Sequence, residues 1–167
     1  VLNRHTANAV RLFFLSTPYR SPVNYEEEIL NSFDDKDKKI HTSLKKAKYK
    51  LQLEKYKFNS LFDKDTYSEF ISYLCDDLKT SNAITILERC LKNLNSLLAK
   101  KDSDNNDILL TYNTILKLSS ILGLRFIIED LTNDDISNFD LYNEARNNKD
   151  YEKSDIYRKK LIEKGIL

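Results

Sequence analysis

The sequence predicts an all-α fold, an up-down antiparallel helical bundle followed by a small two-helix C-terminal module. Only two glycines and two prolines occur in 167 residues, so the chain lacks the turn residues that an all-β or α/β protein needs. Long segments repeat apolar residues with the spacing of amphipathic helices. A composition of 41% hydrophobic and 32% charged residues is typical of a globular chain rather than a disordered one.

The first two predicted helices flank a loop that holds both prolines. Thr6 is a candidate N-cap for a short first helix. Pro18 and Pro22 impose extended backbone on the residues before them, which predicts a loop over residues 17–24. Asn24 is a candidate N-cap for a long second helix.

The second predicted helix runs to the mid-fifties, and an interruption at residues 34–39 is left open. Its apolar stripe consists of Ile29, Phe33, Ile40, Leu44, Ala47 and Leu51. Nine lysines and two acidic residues lie between Lys36 and Lys57. On a helical wheel these lysines spread around the whole polar arc. A solvated face is the favoured interpretation, and a phosphate-tracking surface is the alternative.

Three further helices complete the predicted bundle. The candidate starts are Asp63 or Asp65 for the third helix and Thr80 or Ser81 for the fourth. The polar residues 100–107 form a loop before the fifth helix, which Gly123 ends. Two shorter helices follow, at roughly 134–147 and 150–164, and their apolar content is too thin for an independent core. They must dock on the bundle or fold around a partner.

The residues alone assign no catalysis, because no nucleophile elbow, phosphate loop or dinucleotide fingerprint is present. The paired carboxylates Asp76 and Asp77 are interpreted as closing one helix and leading into the next, in preference to acid–base chemistry. The last helix places Tyr151, Asp155, Arg158 and Ile162 within about 60° of each other. An aromatic ring, a carboxylate and a guanidinium suit the reading of unstacked RNA bases, although mutual salt bridging is the commoner reason for such a set.

No metal site is predicted. His5 and His41 lie far apart, with no ligand at zinc-binding spacing. Cys75 and Cys90 are predicted to be two buried free thiols. No apolar run reaches membrane-spanning length and no signal peptide opens the chain, so a cytoplasmic location without a membrane partner is expected.

Three blocks of sequence resemble the cysteinyl-tRNA synthetases. "AVRLFFLSTPYRSPVNY" (residues 9–25) is similar to the stretch after that family's Lys-Met-Ser-Lys-Ser loop. "FISYLCDDLKTSNAI" (70–84) resembles its Asp-Asp-Phe-Asn-Thr block. "EARNNKDYEKSDIYRKKLIEKGI" (144–166) resembles its closing Ala-Arg, Lys-Asp-aromatic and Gly-Ile pattern. The blocks occur in the family's order and cover nearly the whole chain.

The resemblance implies the C-terminal half of a class I synthetase. Residues 1–22 would be the end of the connector from the catalytic domain, 23–130 a helical bundle of the DALR type, and 131–167 an anticodon-recognition module. The catalytic residues, the ATP-binding motifs and the zinc ligands would lie before Val1, so no cofactor is expected in this segment. The complete lack of methionine agrees with a fragment of a longer protein. The implied partner is cysteine-specific tRNA, and the implied state is a monomer.

The resemblance also carries residue roles. Arg146 would hydrogen-bond an anticodon base, Tyr151 would stack on one, and Asp155 would accept hydrogen bonds from a guanine. Arg158 would support Asp155 or contact a phosphate.

In the connector, Arg11, Tyr19 and Arg20 would fix a hinge and contact the tRNA, with the two prolines fixing the turn.

Three departures from the family pattern are present. The chain stops at Leu167, before the Gly-Thr-Trp segment that completes the family's anticodon pocket, and Leu78 and Lys79 replace Phe and Asn. Two alternatives remain: a helical protein-interaction module, which a large exposed apolar patch on the tail helices would favour, and a related cysteine ligase that uses a small amine instead of tRNA.

Overall fold

The structure, a computed structural model, describes residues 4–167 and contains seven α-helices and no strand within them. The helices are α1 (Ala7–Ser16), α2 (Glu27–Leu53), α3 (Lys64–Cys75), α4 (Thr80–Ala99), α5 (Asn105–Ile121), α6 (Asn133–Asn147) and α7 (Tyr151–Glu163). The prediction of an all-α helical bundle is confirmed. Among the same residues, no helix has both the length and the apolar character needed to cross a membrane.

The chain forms two compact units. The first consists of residues through Ala47 together with Phe58–Ile128, and the second of Lys48–Lys57 together with Glu129–Leu167. In the first unit, α4 packs against α1, α3 and α5, and α3 also packs against α5. Its largest fully buried side chains are Leu12, Leu30, Phe70, Ile40, Leu44, Leu87, Leu94, Ile108, Leu109, Ile115 and Leu118.

Local capping signals place three helix ends of the first unit. Thr6 accepts a hydrogen bond from the amide of Ala9 and begins α1, as predicted. Asp63 accepts from two amides of the first turn of α3 and begins that helix. Gly123 has φ +72° directly after the last turn of α5, a conformation that glycine adopts without strain.

Two predicted caps are wrong, and α2 is not interrupted. Helix α2 begins at Glu27, and the Asn24 side chain donates to the Glu26 carboxylate instead of capping it. Thr80 lies inside α4, and its hydroxyl donates to the carbonyl of Leu15 at 2.6 Å. A tertiary hydrogen bond therefore takes the side chain that the local pattern assigned to a cap.

Burial also corrects the apolar stripes of two helices. Ile29 is 37% exposed in the first turn of α2, whereas Leu30 beside it is 1% exposed. Phe70 is the buried residue of α3, and Cys75 at the end of that helix is exposed. Cys90 is buried as predicted, and burial raises the pKa of its thiol.

The second unit contains a helical hairpin of α6 and α7. Thr132 and Asp135 form a reciprocal capping box at the start of α6. Lys164, just after α7, pairs with the same Asp135 carboxylate. Burial alone would raise the pKa of Asp135, but hydrogen bonds from Lys164 and Thr132 outweigh it and hold that pKa below its usual value. This carboxylate therefore ties the two outer ends of the hairpin together.

Polar contacts from the end of α2 and from Lys55, just after it, complete the second unit. Lys48 forms an ion pair with Asp130 at 2.8 Å, and Lys55 forms one with Asp140 at 3.1 Å. The Gln52 side-chain amide donates to Asp130 at 2.8 Å, and its oxygen accepts from the Leu131 amide at 3.1 Å. The thin apolar content of the hairpin is thus supplemented by a polar network.

Candidate nucleic-acid interface

Helix α7 presents one exposed face that carries three of the predicted site residues. Tyr151 is 68% exposed, and Asp155 and Arg158 are exposed as well. Spacings of four and three residues put their side chains on one side of the helix. Within residues 4–167 neither Asp155 nor Arg158 forms an ion pair or a side-chain hydrogen bond, so mutual salt bridging does not occupy them. Their charged groups are open to a ligand.

The link between α6 and α7 sets the position of Tyr151. Lys149 has φ +58°, which turns the chain sharply after α6. Asp150 then caps α7 by accepting from the Lys153 amide and pairs with the Lys153 ammonium at 2.9 Å. The hydrogen bond from the Lys153 side chain is the main reason that the pKa of Asp150 is lowered. Tyr151 is consequently the first residue of α7, at the end of the helix with positive electrostatic character.

Arg146 lies in the last turn of α6, before this link, and its side chain has partners on its own helix. Its guanidinium lies 5.7 Å from the centre of the Tyr142 ring and donates to the Tyr142 hydroxyl at 3.2 Å. Tyr142 is buried. Among the described residues no hydrogen bond or ion pair joins Arg146 to Tyr151, Asp155 or Arg158. Arg146 therefore lies before the link to α7 and is not bonded to those three residues.

The predicted hinge residues Tyr19 and Arg20 meet Asp77, and we call this set the Tyr19–Arg20–Asp77 junction. The Tyr19 hydroxyl donates to Asp77 Oδ1 at 2.7 Å, which raises the pKa of the phenol. Arg20 donates to the same carboxylate oxygen at 3.0 Å and to the Tyr19 hydroxyl at 2.6 Å. Asp77 has φ +53° in the link between α3 and α4. The proline-containing loop is therefore pinned to that link.

Sequence reasoning missed this role of Asp77. It interpreted the Asp76–Asp77 pair only as a helix ending, which describes Asp76, the C-cap of α3. The one available signal was that the Tyr-Arg-Ser and Asp-Asp blocks both belong to the family resemblance.

Arg11, the third predicted connector residue, lies apart from the junction. Its guanidinium donates to the carbonyl of Gly123, the residue that ends α5. A Cβ atom at position 123 would lie 3.3 Å from that guanidinium. Arg11 thus fastens α1 to the end of α5 within the first unit.

Comparison with known proteins finds a domain family that matches part of the chain and proteins that are similar over its whole length. Residues 69–127, which include α4, α5 and the Asp77 link, match the DALR domain family. The whole chain is also similar to proteins named cysteine–tRNA ligase. Those of Acholeplasma laidlawii and Mesoplasma florum are 31% and 33% identical over 98% and 99% of this chain. This chain is a relative of the cysteine–tRNA ligases. It spans about a third of their length, 35% and 37% in these two cases.

A third relative gives the same result. The cysteine–tRNA ligase of Bacillus cytotoxicus is 30% identical over 100% of this chain, which spans 37% of that protein. The DALR domain holds the Asp77 link and Gly123, whereas the exposed face of α7 lies outside it. Within residues 4–167 no group of three or more histidine, cysteine, aspartate or glutamate side chains is arranged to hold a metal ion.

Proposed function

We propose that this chain is the tRNA-binding portion of a cysteine–tRNA ligase and that its α6–α7 hairpin reads the anticodon. The observation that supports this proposal best is the exposed, unpaired face of α7 with Tyr151, Asp155 and Arg158. Those residues occupy positions where the chain resembles the base-reading segment of the family. The proposal assigns residues 1–22 to the connector, 23–130 to the bundle and 131–167 to the anticodon module.

The chemistry of the α7 face suits single-stranded RNA. The Tyr151 ring is exposed enough to stack on an unpaired base. The two oxygens of Asp155 match the adjacent N1 and N2 donors on the Watson–Crick edge of guanine, the first base of a GCA anticodon. Arg158, one helical turn further along, is placed to contact a phosphate or to orient Asp155. Arg146 retains donors beyond its single bond to Tyr142 for a neighbouring base.

The activity of the whole protein follows from the same proposal. The complete enzyme would activate cysteine with ATP and transfer it to cysteine-specific tRNA, with ATP and zinc bound by parts of the protein that this chain does not include. A cytoplasmic location and a monomeric state remain predictions. The segment would select the tRNA and hold it in position.

The protein-interaction alternative gains little from the hairpin surface. Ile156 and Ile162 are exposed on α7, and Leu141 and Leu167 are exposed elsewhere in the second unit. The helical repeat separates the two isoleucines by about 120°, so these two do not form one apolar patch. The alternative of a small-amine ligase, which would need no anticodon module, leaves the unpaired Asp155 and Arg158 without a role.

The test is a binding titration of the 167-residue chain with cysteine tRNA and with the same tRNA changed at its first anticodon base. The chain is expected to prefer the native anticodon, and Asp155→Asn is expected to remove that preference by losing the two-oxygen acceptor. Glu152→Gln is the matched control, because it removes the charge of an exposed α7 carboxylate, one turn before Asp155, that has no proposed contact with a base.

A preference that is lost in Asp155→Asn and kept in Glu152→Gln would establish the anticodon-reading role. Equal affinity for both tRNAs in the parent chain would contradict it.

A further inference from the structure

The lysines of α2 divide into paired and unpaired groups. Three of them form ion pairs: Lys36 with Glu88, Lys48 with Asp130, and Lys50 with Glu54. Lys55, just after the helix, pairs with Asp140. Lys38, Lys39 and Lys46 are exposed and form no ion pair in the part of the chain that the structure describes. The sequence alone could not separate these groups, because Glu88 and Asp130 come from other segments and only the Lys50–Glu54 pair is local.

The three unpaired lysines share one side of α2, and we call them the lysine ridge. With Thr42 they lie within an arc of about 100° on the helix. That arc faces away from the buried side chains of Ile40, Leu44 and Ala47. All three lysines belong to the first unit. The ridge is therefore a continuous cationic strip. It is distinct from the neighbouring lysines whose charges are paired with carboxylates.

Two clefts of the first unit flank the ridge, and Lys38 and Thr42 line both of them. One cleft, of about 230 Å³, also contains His41 and Arg125. The other, of about 560 Å³, also contains Lys39 and the neutral polar residues Ser43 and Asn95. Arg125 is exposed, and within residues 4–167 its guanidinium has no ion-pair partner. Cations and neutral polar groups thus line both clefts, together with one aspartate in each, Asp37 in the smaller cleft and Asp35 in the larger.

The acidic residues near the ridge are mostly engaged elsewhere. Asp37 is buried and accepts hydrogen bonds from Thr6 at 2.7 Å and from Asn8 at 2.9 Å. Asp34 is held by His5 at 2.6 Å. Burial alone would raise the pKa of Asp34, but hydrogen bonds from His5 and the Thr6 amide, with a smaller contribution from the charge of Lys38, hold it below its usual value. Asp35 is the exposed acid on the same side of the helix. The exposed charge of the region is consequently positive.

We propose that the lysine ridge, together with Arg125, binds backbone phosphates of the same RNA that the hairpin reads. The identity of this partner rests on the proposed function. Exposed ammonium groups without protein partners are free to neutralise RNA phosphates, and the release of the cations condensed on the RNA favours binding. The ridge carries no base-reading arrangement, so its contribution is independent of RNA sequence.

The test compares the salt dependence of tRNA binding by the 167-residue chain and by two triple variants. Lys38→Ala, Lys39→Ala and Lys46→Ala together remove the ridge. Lys64→Ala, Lys100→Ala and Lys101→Ala together remove the same charge from exposed positions elsewhere in the first unit. Affinities for the native tRNA and for the tRNA changed at its first anticodon base are measured between about 50 and 200 mM salt.

The ridge variant is expected to bind about a hundredfold more weakly at the lowest salt, and to reduce the slope of log affinity against log salt by about two to three, so that it approaches the parent affinity at the highest salt. It is expected to keep the preference for the native anticodon. The control triple is expected to keep the parent slope, and both variants are expected to retain the parent melting temperature.

Equal slopes for the two triples would overturn the ridge proposal while leaving the anticodon proposal intact. If the slope is lower in the ridge variant but the parent chain binds the two tRNAs equally, the result would support the ridge proposal and contradict the anticodon proposal. Ridge-dependent binding to anionic lipid vesicles without ridge-dependent binding to tRNA would also overturn the proposal.

Discussion

Replacement of Tyr151 by alanine separates a binding role from a folding role. The side chain is 68% exposed, so its removal is expected to change the free energy of unfolding by less than about 0.5 kcal/mol. Stacking of one base on an aromatic ring contributes about 1–3 kcal/mol, which corresponds to a loss of affinity of about 5- to 150-fold. Tyr151→Phe keeps the ring and is expected to bind nearly as well as the parent chain.

Fluorescence anisotropy with a labelled anticodon stem-loop measures the affinity, and thermal unfolding measures the stability. Leu161→Ala serves as the control for a loss of stability. Leu161 is 1% exposed in the same helix, and its truncation is expected to lower the free energy of unfolding by about 2–5 kcal/mol. A loss of less than twofold in Tyr151→Ala, or equal losses in the alanine and phenylalanine variants, would refute the stacking argument.

Two further predictions concern the first unit. The hydrogen bond to Asp34 is the largest of the influences that raise the pKa of His5 above its usual value of about 6.5. The stabilisation from charged His5 is therefore complete below about pH 6.5 and is lost as the pH rises through the raised pKa. In His5→Gln, the free energy of unfolding measured in urea should not show this decrease as the pH rises. A decrease that persists in the variant would exclude His5 as its source. At the Tyr19–Arg20–Asp77 junction, Asp77→Asn should cost less than about 1 kcal/mol, since the ion pair is exposed. Asp77→Ala should cost about 1 kcal/mol more, because alanine tolerates positive φ less well, and equal melting temperatures would contradict this reasoning.

Local signals predicted much of the fold. Thr6, Asp63 and Gly123 each act through atoms a few residues away, and all three end or begin a helix as expected. Thr80 has an equally good capping side chain, yet its hydroxyl bonds to Leu15, 65 positions earlier. A contact over such a separation leaves no periodic trace in the sequence.

The same distinction applies to the candidate site. The shared face of Tyr151 and Asp155 follows from helical spacing and needed no tertiary information. Whether Asp155 was already paired could be learned only from the structure. The bond between Tyr19 and Asp77 joins residues 58 positions apart, and no spacing rule connects them.

The two cysteines give the molecule a built-in site for a spectroscopic reporter. Cys90 is buried and its thiol has a raised pKa, whereas Cys75 is exposed at the end of α3. A maleimide dye should therefore react at Cys75 first, without any engineered substitution. The label would stand two residues from Asp77, where its fluorescence could follow in real time whether the α3–α4 link changes its surroundings when RNA arrives.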